Sequence, residues 1–223
     1  LDSITRFLDN FCATEQRDRI IVALDGYHFD GYYQRTIKNK RFRLLCVDDY
    51  GHADQYYADV ILNQNLSADI SLYPNYSLHT KFLLGPQYVL LRKEFWKWKT
   101  WKRDIPAVAK KVLVTMGGAD PDNVTRKVLK ALKEVAIPDM EVVVVLGPSN
   151  PHKDDIEHFL SLFPFKSHLL LSVDNMPELM AWTDVAVAAG GSTSWELAFM
   201  GLPSLLIILA ENQRVVSHKL EES

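Results

Sequence analysis

The sequence has little of what usually classifies a protein at a glance. Its two cysteines, Cys12 and Cys46, are too few for a disulfide framework or a cysteine-bound metal cluster. Both stand among apolar neighbours, which predicts buried thiols in a reducing compartment and hence a cytoplasmic protein. No apolar run is long enough to span a bilayer; the longest, residues 203–210, has the length of a strand, so no membrane insertion is expected. Positive charge is not in excess either. With 25 Lys and Arg against 28 Asp and Glu, the net charge of −3 gives no electrostatic case for binding nucleic acid. Initiator Met, signal peptide, internal repeat and low-complexity tract are all missing. Residues 1–14 read as a helix already under way, with Ile4, Phe7, Leu8 and Phe11 on one face, and residues 211–223 as a helix without a Gly or Pro stop. The natural protein is expected to extend beyond both ends.

What is present is an alternation. With 48% hydrophobic and 24% charged residues, the 223-residue chain can bury the cores of two modest domains. Runs rich in Val, Ile and Leu, with little polar alternation, predict strands over residues 20–24, 43–47, 60–62, 111–116, 141–146, 168–172, 184–188 and 204–208. Helices are predicted over residues 123–136, 154–162, 176–182 and 192–200. This rhythm gives an α/β protein with open parallel sheets and helices on both faces. It breaks at residues 92–106. There, Arg92 to Arg103 holds three of the five tryptophans and six basic residues. An interdomain segment with packed aromatics and wet lysines fits this better than a patch for an anionic surface, because the run stands alone in an acidic chain. The expected organisation is a first domain over residues 1–91, a linker over 92–106 and a second domain over 107–223.

Ligands of open α/β sheets bind where strands end and helices begin. Three such loops in the second domain have unusual composition. In Thr115-Met-Gly-Gly-Ala-Asp-Pro-Asp-Asn123, Gly117 and Gly118 let backbone approach a ligand, Asp120 can cap the next helix and Pro121 suits its first turn. In Ala189-Gly-Gly-Ser-Thr-Ser-Trp-Glu196, Gly190 and Gly191 lead into a helix whose start carries Ser192, Thr193 and Ser194, a composition suited to a diphosphate. Glu196 lies one turn after Ser192, and its carboxylate can accept both hydroxyls of a ribose. In Ala210-Glu-Asn-Gln213, Asn212 and Gln213 offer amides suited to sugar hydroxyls or acetamido groups. The first domain has polar clusters at Asp25–Phe29, Asp48–His52 and residues 63–65. Asp48 and Asp49 could form a metal or acid/base pair, but adjacent residues at a strand end diverge and no His/Cys set has metal-ligand spacing; His28 and His52 are plausible polar-site residues, though a lone His in a loop is more often structural.

In combination, Met116-Gly-Gly-Ala-Asp-Pro-Asp, Ala189-Gly-Gly-Ser-Thr-Ser-Trp-Glu and Asn212-Gln resemble the UDP-sugar hydrolases of pseudaminic acid biosynthesis, also labelled spore coat polysaccharide biosynthesis proteins. Asp48-Asp-Tyr-Gly-His-Ala, Ile61-Leu-Asn-Gln-Asn and Tyr88-Val-Leu-Leu-Arg-Lys-Glu-Phe95 extend the resemblance over essentially the whole chain. More distantly it resembles the N-acetylglucosaminyltransferase of lipid II synthesis. The resemblance implies a GT-B architecture of two Rossmann-like domains with parallel sheets, here truncated at both ends, the second binding UDP. It implies inverting hydrolysis of UDP-2,4-diacetamido-2,4,6-trideoxy-β-L-altropyranose to free sugar and UDP, with no metal or other cofactor. By position, Gly117, Gly118, Gly190, Gly191, Ser192 and Thr193 would hold the diphosphate and Glu196 the ribose. Met176, in the loop from Asp174, would lie against the uracil, Asn212 and Gln213 near the phosphates or sugar, and Tyr27 would face the sugar. The family's catalytic His belongs to a Gly-x-Gly-His loop expected upstream of this chain. A glycosyltransferase of the same fold, or a non-catalytic nucleotide-sugar binding module, are the alternatives, since fold alone does not fix function.

Overall fold

A computed structural model describes residues 2–11, 14–135, 137–210, 213, 214 and 221. The chain divides into two compact units, Leu1–Leu90 and Leu91–Ser223. Cys12, Asn212 and most of the helix expected over residues 211–223 lie outside the described residues.

The first unit contains α1 (Asp2–Phe11), β1 (Ile21–Asp25), α2 (Gly31–Asn39), β2 (Arg43–Val47), β3 (Val60–Asn63) and β4 (Lys81–Leu84). The four strands form one parallel sheet in the order β1-β2-β3-β4. Ile37, Phe42, Leu44, Tyr56, Ile61 and Tyr73 fill its core and are essentially inaccessible. Two elements are absent from the sequence reading, α2 and β4. The apolar face of α2 is thin: Tyr33 and Ile37 are buried while Tyr32 is exposed. Its start is nevertheless well specified, because Asp30 caps it by accepting from the Tyr33 N–H at 2.8 Å. Cys46 is buried in this core, as expected, and burial first, then the charge of Asp48, pushes its thiol up to about 12.

The second unit alternates strand and helix throughout: β5 (Lys111–Thr115), α3 (Val124–Lys133), β6 (Glu141–Leu146), α4 (Lys153–Ser161), β7 (Lys166–Leu171), α5 (Met176–Trp182), β8 (Val185–Ala189), α6 (Thr193–Phe199) and β9 (Ser204–Ile207). All strands are parallel, in the order β7-β6-β5-β8-β9. The inner strands β5 and β6 are the Val-rich runs, buried on both faces as the lack of alternation predicts. The chain winds outward from β5 through β6 to β7, then crosses back to β8 and β9. The order therefore reverses between β5 and β8, and the crevice of an open α/β sheet lies at that switch point.

Residues 92–106 pack as part of this second unit. Phe95 is fully buried with Met176, Met180, Leu197 and Met200, whereas Trp96 stays exposed. Arg103 donates to three main-chain carbonyls, Met180 O at 2.6 Å, Thr183 O at 2.5 Å and Met200 O at 3.2 Å. It thereby caps the ends of α5 and α6, a use of arginine that matches the unpaired carbonyls of helix C-termini. Burial holds its guanidinium below the usual arginine range. No helix among the described residues is long and apolar enough to cross a membrane.

Candidate functional site at the switch point of the second unit

The two glycine loops follow β5 and β8, the strands that flank the reversal of strand order. In the first loop Gly117 has φ +79°, a conformation that favours glycine. No atom lies within 4 Å of where a Cβ on Gly117 or Gly118 would stand, so both glycines border open space. Asp120 is buried and caps α3 with both oxygens, accepting from Val124 N at 2.7 Å and Thr125 N at 2.9 Å. Asn123 also accepts, from Arg126 N at 3.3 Å. Pro121 does not enter the first turn of the helix, which begins later, at Val124, because these two side chains set the cap.

A third glycine, missed in the sequence, supports this loop. Gly147 follows β6, and a Cβ there would meet the Gly118 carbonyl carbon at 2.7 Å and its Cα and O closer still. Only glycine allows the β6 loop to pack on the β5 loop at this spacing. The signal was a lone Gly before Pro148, which reads as an ordinary turn.

In the second loop the glycines provide room rather than donors. Gly190 N–H is bonded to Ile207 O at 3.0 Å and Gly191 N–H to Ala189 O at 2.8 Å, while nothing lies within 4 Å of a Cβ position on Gly191. Ser192 makes no side-chain cap to α6 and is exposed at its start, with Thr193 half-buried beside it. Ser194 is buried, and its hydroxyl has no hydrogen-bond partner among the described residues. Glu196, one turn after Ser192, is buried. Its side chain is 11% exposed, and it receives a two-pronged bond from Arg92: Nε to Oε1 at 2.7 Å and Nη2 to Oε2 at 3.0 Å. The Glu196 carboxylate raises the Arg92 guanidinium above its usual range through these bonds, against the opposing effect of burial. A partner 104 residues away in sequence left no local signal.

Two of the expected residues have other engagements. Met176 opens α5 and packs in the core with Met180 and Leu197. Gln213 accepts from Leu209 N at 2.9 Å, closing its own turn.

In the first unit the polar residues gather at the carboxyl ends of the strands. Asp48 is buried and accepts from Tyr50 N at 2.8 Å, Gly51 N at 2.7 Å and Tyr56 OH. His52 Nδ1 lies 2.9 Å from Asp48 Oδ2 without the alignment of a hydrogen bond. Asp49 points the other way, accepting from Tyr27 OH at 2.6 Å and Asn65 Nδ2 at 3.0 Å. The two carboxylates diverge, as adjacent residues at a strand end do. Tyr27 and Tyr50 are half-exposed, with ring centroids 5.3 Å apart. His28 stands apart, against the Phe29 ring.

Two parallel sheets of four and five strands with covering helices make this an α/β fold of the GT-B type. The fold is shared with MurG of Acinetobacter baumannii, which superposes with a TM-score of 0.62 over 94% of this chain and 61% of that chain at 14% identity. Residues 111–221 match the glycosyltransferase family 28 C-terminal domain. The spore coat polysaccharide biosynthesis protein SpsG of Bacillus subtilis is 29% identical over 77% of this chain and 50% of its own length. The pseudaminic acid cytidylyltransferase and UDP-2,4-diacetamido-2,4,6-trideoxy-beta-L-altropyranose hydrolase of Helicobacter pylori is 27% identical over 88% of this chain and 35% of its own length. The chain is therefore related to family 28 glycosyltransferases and to enzymes that process sugar nucleotides, and it spans half or less of the length of these two relatives.

Proposed function

We propose that this protein is an inverting UDP-sugar hydrolase of the cytoplasm, acting on a UDP-linked diacetamido-trideoxy sugar of the altrose type. Water attacks the anomeric carbon, the bond from that carbon to the phosphate oxygen breaks, and free sugar of inverted configuration and UDP are released. The second unit holds the nucleotide. Its diphosphate lies in the open space beside Gly117, Gly118 and Gly191, with the hydroxyls of Ser192 and Thr193 as donors and the ribose at Glu196. Met176 backs the uracil subsite, and Asn212 and Gln213 reach the phosphates or sugar. The base that activates water is assigned to no residue of this chain. The observation that carries this reading is the pair of glycine loops bordering open space on either side of the β5/β8 reversal. Its substrate class rests on the relative from Helicobacter pylori.

A second reading is favoured by the match of residues 111–221 to a glycosyltransferase domain. In that case a hydroxyl acceptor replaces water and the nucleotide site is unchanged. One assay separates the two: UDP release from the UDP-sugar by the full-length protein in acceptor-free buffer. Stoichiometric UDP and free sugar support hydrolysis. Release only after an acceptor alcohol is added supports transfer.

A further inference from the structure

Glu196 is a buried carboxylate, and a buried charge is tolerated only when it is paired and its hydrogen-bonding capacity used. Arg92 provides the pairing, and is itself pinned from several sides. Its guanidinium lies over the Phe95 ring, 5.5 Å from the centroid, and its Nη1 is 3.4 Å from Glu94 Oε1. Phe95 is fully buried and meets Phe199 edge-on at 6.1 Å, and Phe199 ends the same helix α6 that carries Glu196. Arginine, aromatic anchor and helix thus lock the plane of one carboxylate. The fork takes one acceptor position on each oxygen, whereas an ionised carboxylate has about four in all. One position per oxygen is left, and a vicinal diol supplies one donor to each.

We propose that Arg92 is a positioning residue for nucleoside recognition: by fixing the orientation of the Glu196 carboxylate, it sets the preference for ribose over deoxyribose. This rests on the reading that Glu196 accepts the ribose hydroxyls. Without Arg92, the carboxylate would be free to turn, and its two oxygens would no longer be held toward a vicinal diol. Lysine cannot replace the fork, because an ammonium is a point charge without two parallel donors.

The test is calorimetric binding of UDP and of 2′-deoxy-UDP to the protein and to its Arg92→Lys, Arg92→Gln and Glu196→Ala variants, each shown by its melting curve to be folded. The unsubstituted protein should prefer UDP by about tenfold, the worth of one hydrogen bond to a charged group. Glu196→Ala and Arg92→Gln should bring the two affinities to within about twofold, with Arg92→Lys between, and Arg92→Gln should add no further loss of preference in the Glu196→Ala background. A purely structural role would weaken both nucleotides alike and leave their ratio intact. So would direct contact of Arg92 with the diphosphate, which would also weaken pyrophosphate. Either result overturns the proposal while leaving the ribose reading in place. If Glu196→Ala itself keeps the ratio, the ribose reading falls and the proposal with it.

Discussion

Gly147 and Gly118 pack backbone against backbone, so that a Cβ on Gly147 would stand 2.7 Å from the Gly118 carbonyl carbon. The end of β6 thus sets the position of the glycine loop after β5. Gly147→Ala should displace that loop and cost about 1–3 kcal/mol of stability, the usual penalty for overpacking. Urea denaturation measures the stability, and UDP titration of the folded variant should show weaker binding than the parent. An unchanged midpoint and unchanged affinity would mean that the two loops yield freely.

Gly191 presents the opposite case. Nothing lies within 4 Å of its Cβ position and its φ is not positive, so a larger side chain fits the folded protein. It would fill the space assigned to phosphate oxygens. Gly191→Val should keep the melting temperature within a few degrees while weakening UDP at least tenfold, about 1.4 kcal/mol. Equal affinity in a folded Gly191→Val variant removes the diphosphate from this loop.

Glu196→Ala deletes a carboxylate that would accept ribose hydroxyls, at roughly 1.5–3 kcal/mol per charged hydrogen bond. UDP should weaken far more than pyrophosphate, which has no ribose. Equal losses for the two ligands, measured by calorimetry, would mean that Glu196 serves only to bind Arg92 and hold α6.

Cys46 makes the first unit sensitive to alkali. Its thiol is raised from an ordinary value of 9.0 to about 12 by burial and by Asp48. The stabilisation is therefore complete below pH 9.0 and is lost as pH rises toward about 12, because the unfolded chain gives up this proton first. In a Cys12→Ser background, Ellman's reagent at pH 8 should leave Cys46 unmodified until urea unfolds the protein. Rapid labelling of the folded protein would show that the thiol is accessible.

The second unit was largely legible in the sequence, because strands buried on both faces announce themselves as unbroken Val, Ile and Leu. The run over residues 141–146 is β6 to the residue, and the run over 111–116 exceeds β5 by one. The edge strand β7 was placed at residues 168–172 but spans Lys166–Leu171, since one of its edges is unpaired and its burial alternates. In the first unit α2 and β4 escaped: two of the residues that α2 buries are Gly31 and Gln34, which carry no apolar signal, and β4 opens on an exposed Lys81 with its other residues only partly buried. The glycine loops were readable as motifs. Arg92 and Gly147 were not, since their roles arise from contacts between distant segments that composition does not encode.

The most direct test of the nucleotide site is an amide nitrogen–proton correlation spectrum of the protein, recorded during titration with UDP. The account predicts saturable shifts of the Gly117, Gly118, Gly191, Ser192 and Thr193 signals, clustered at the loops after β5 and β8. Saturable binding with shifts confined to other segments, such as the outer strands β7 and β9 or the helices of the first unit, would contradict it.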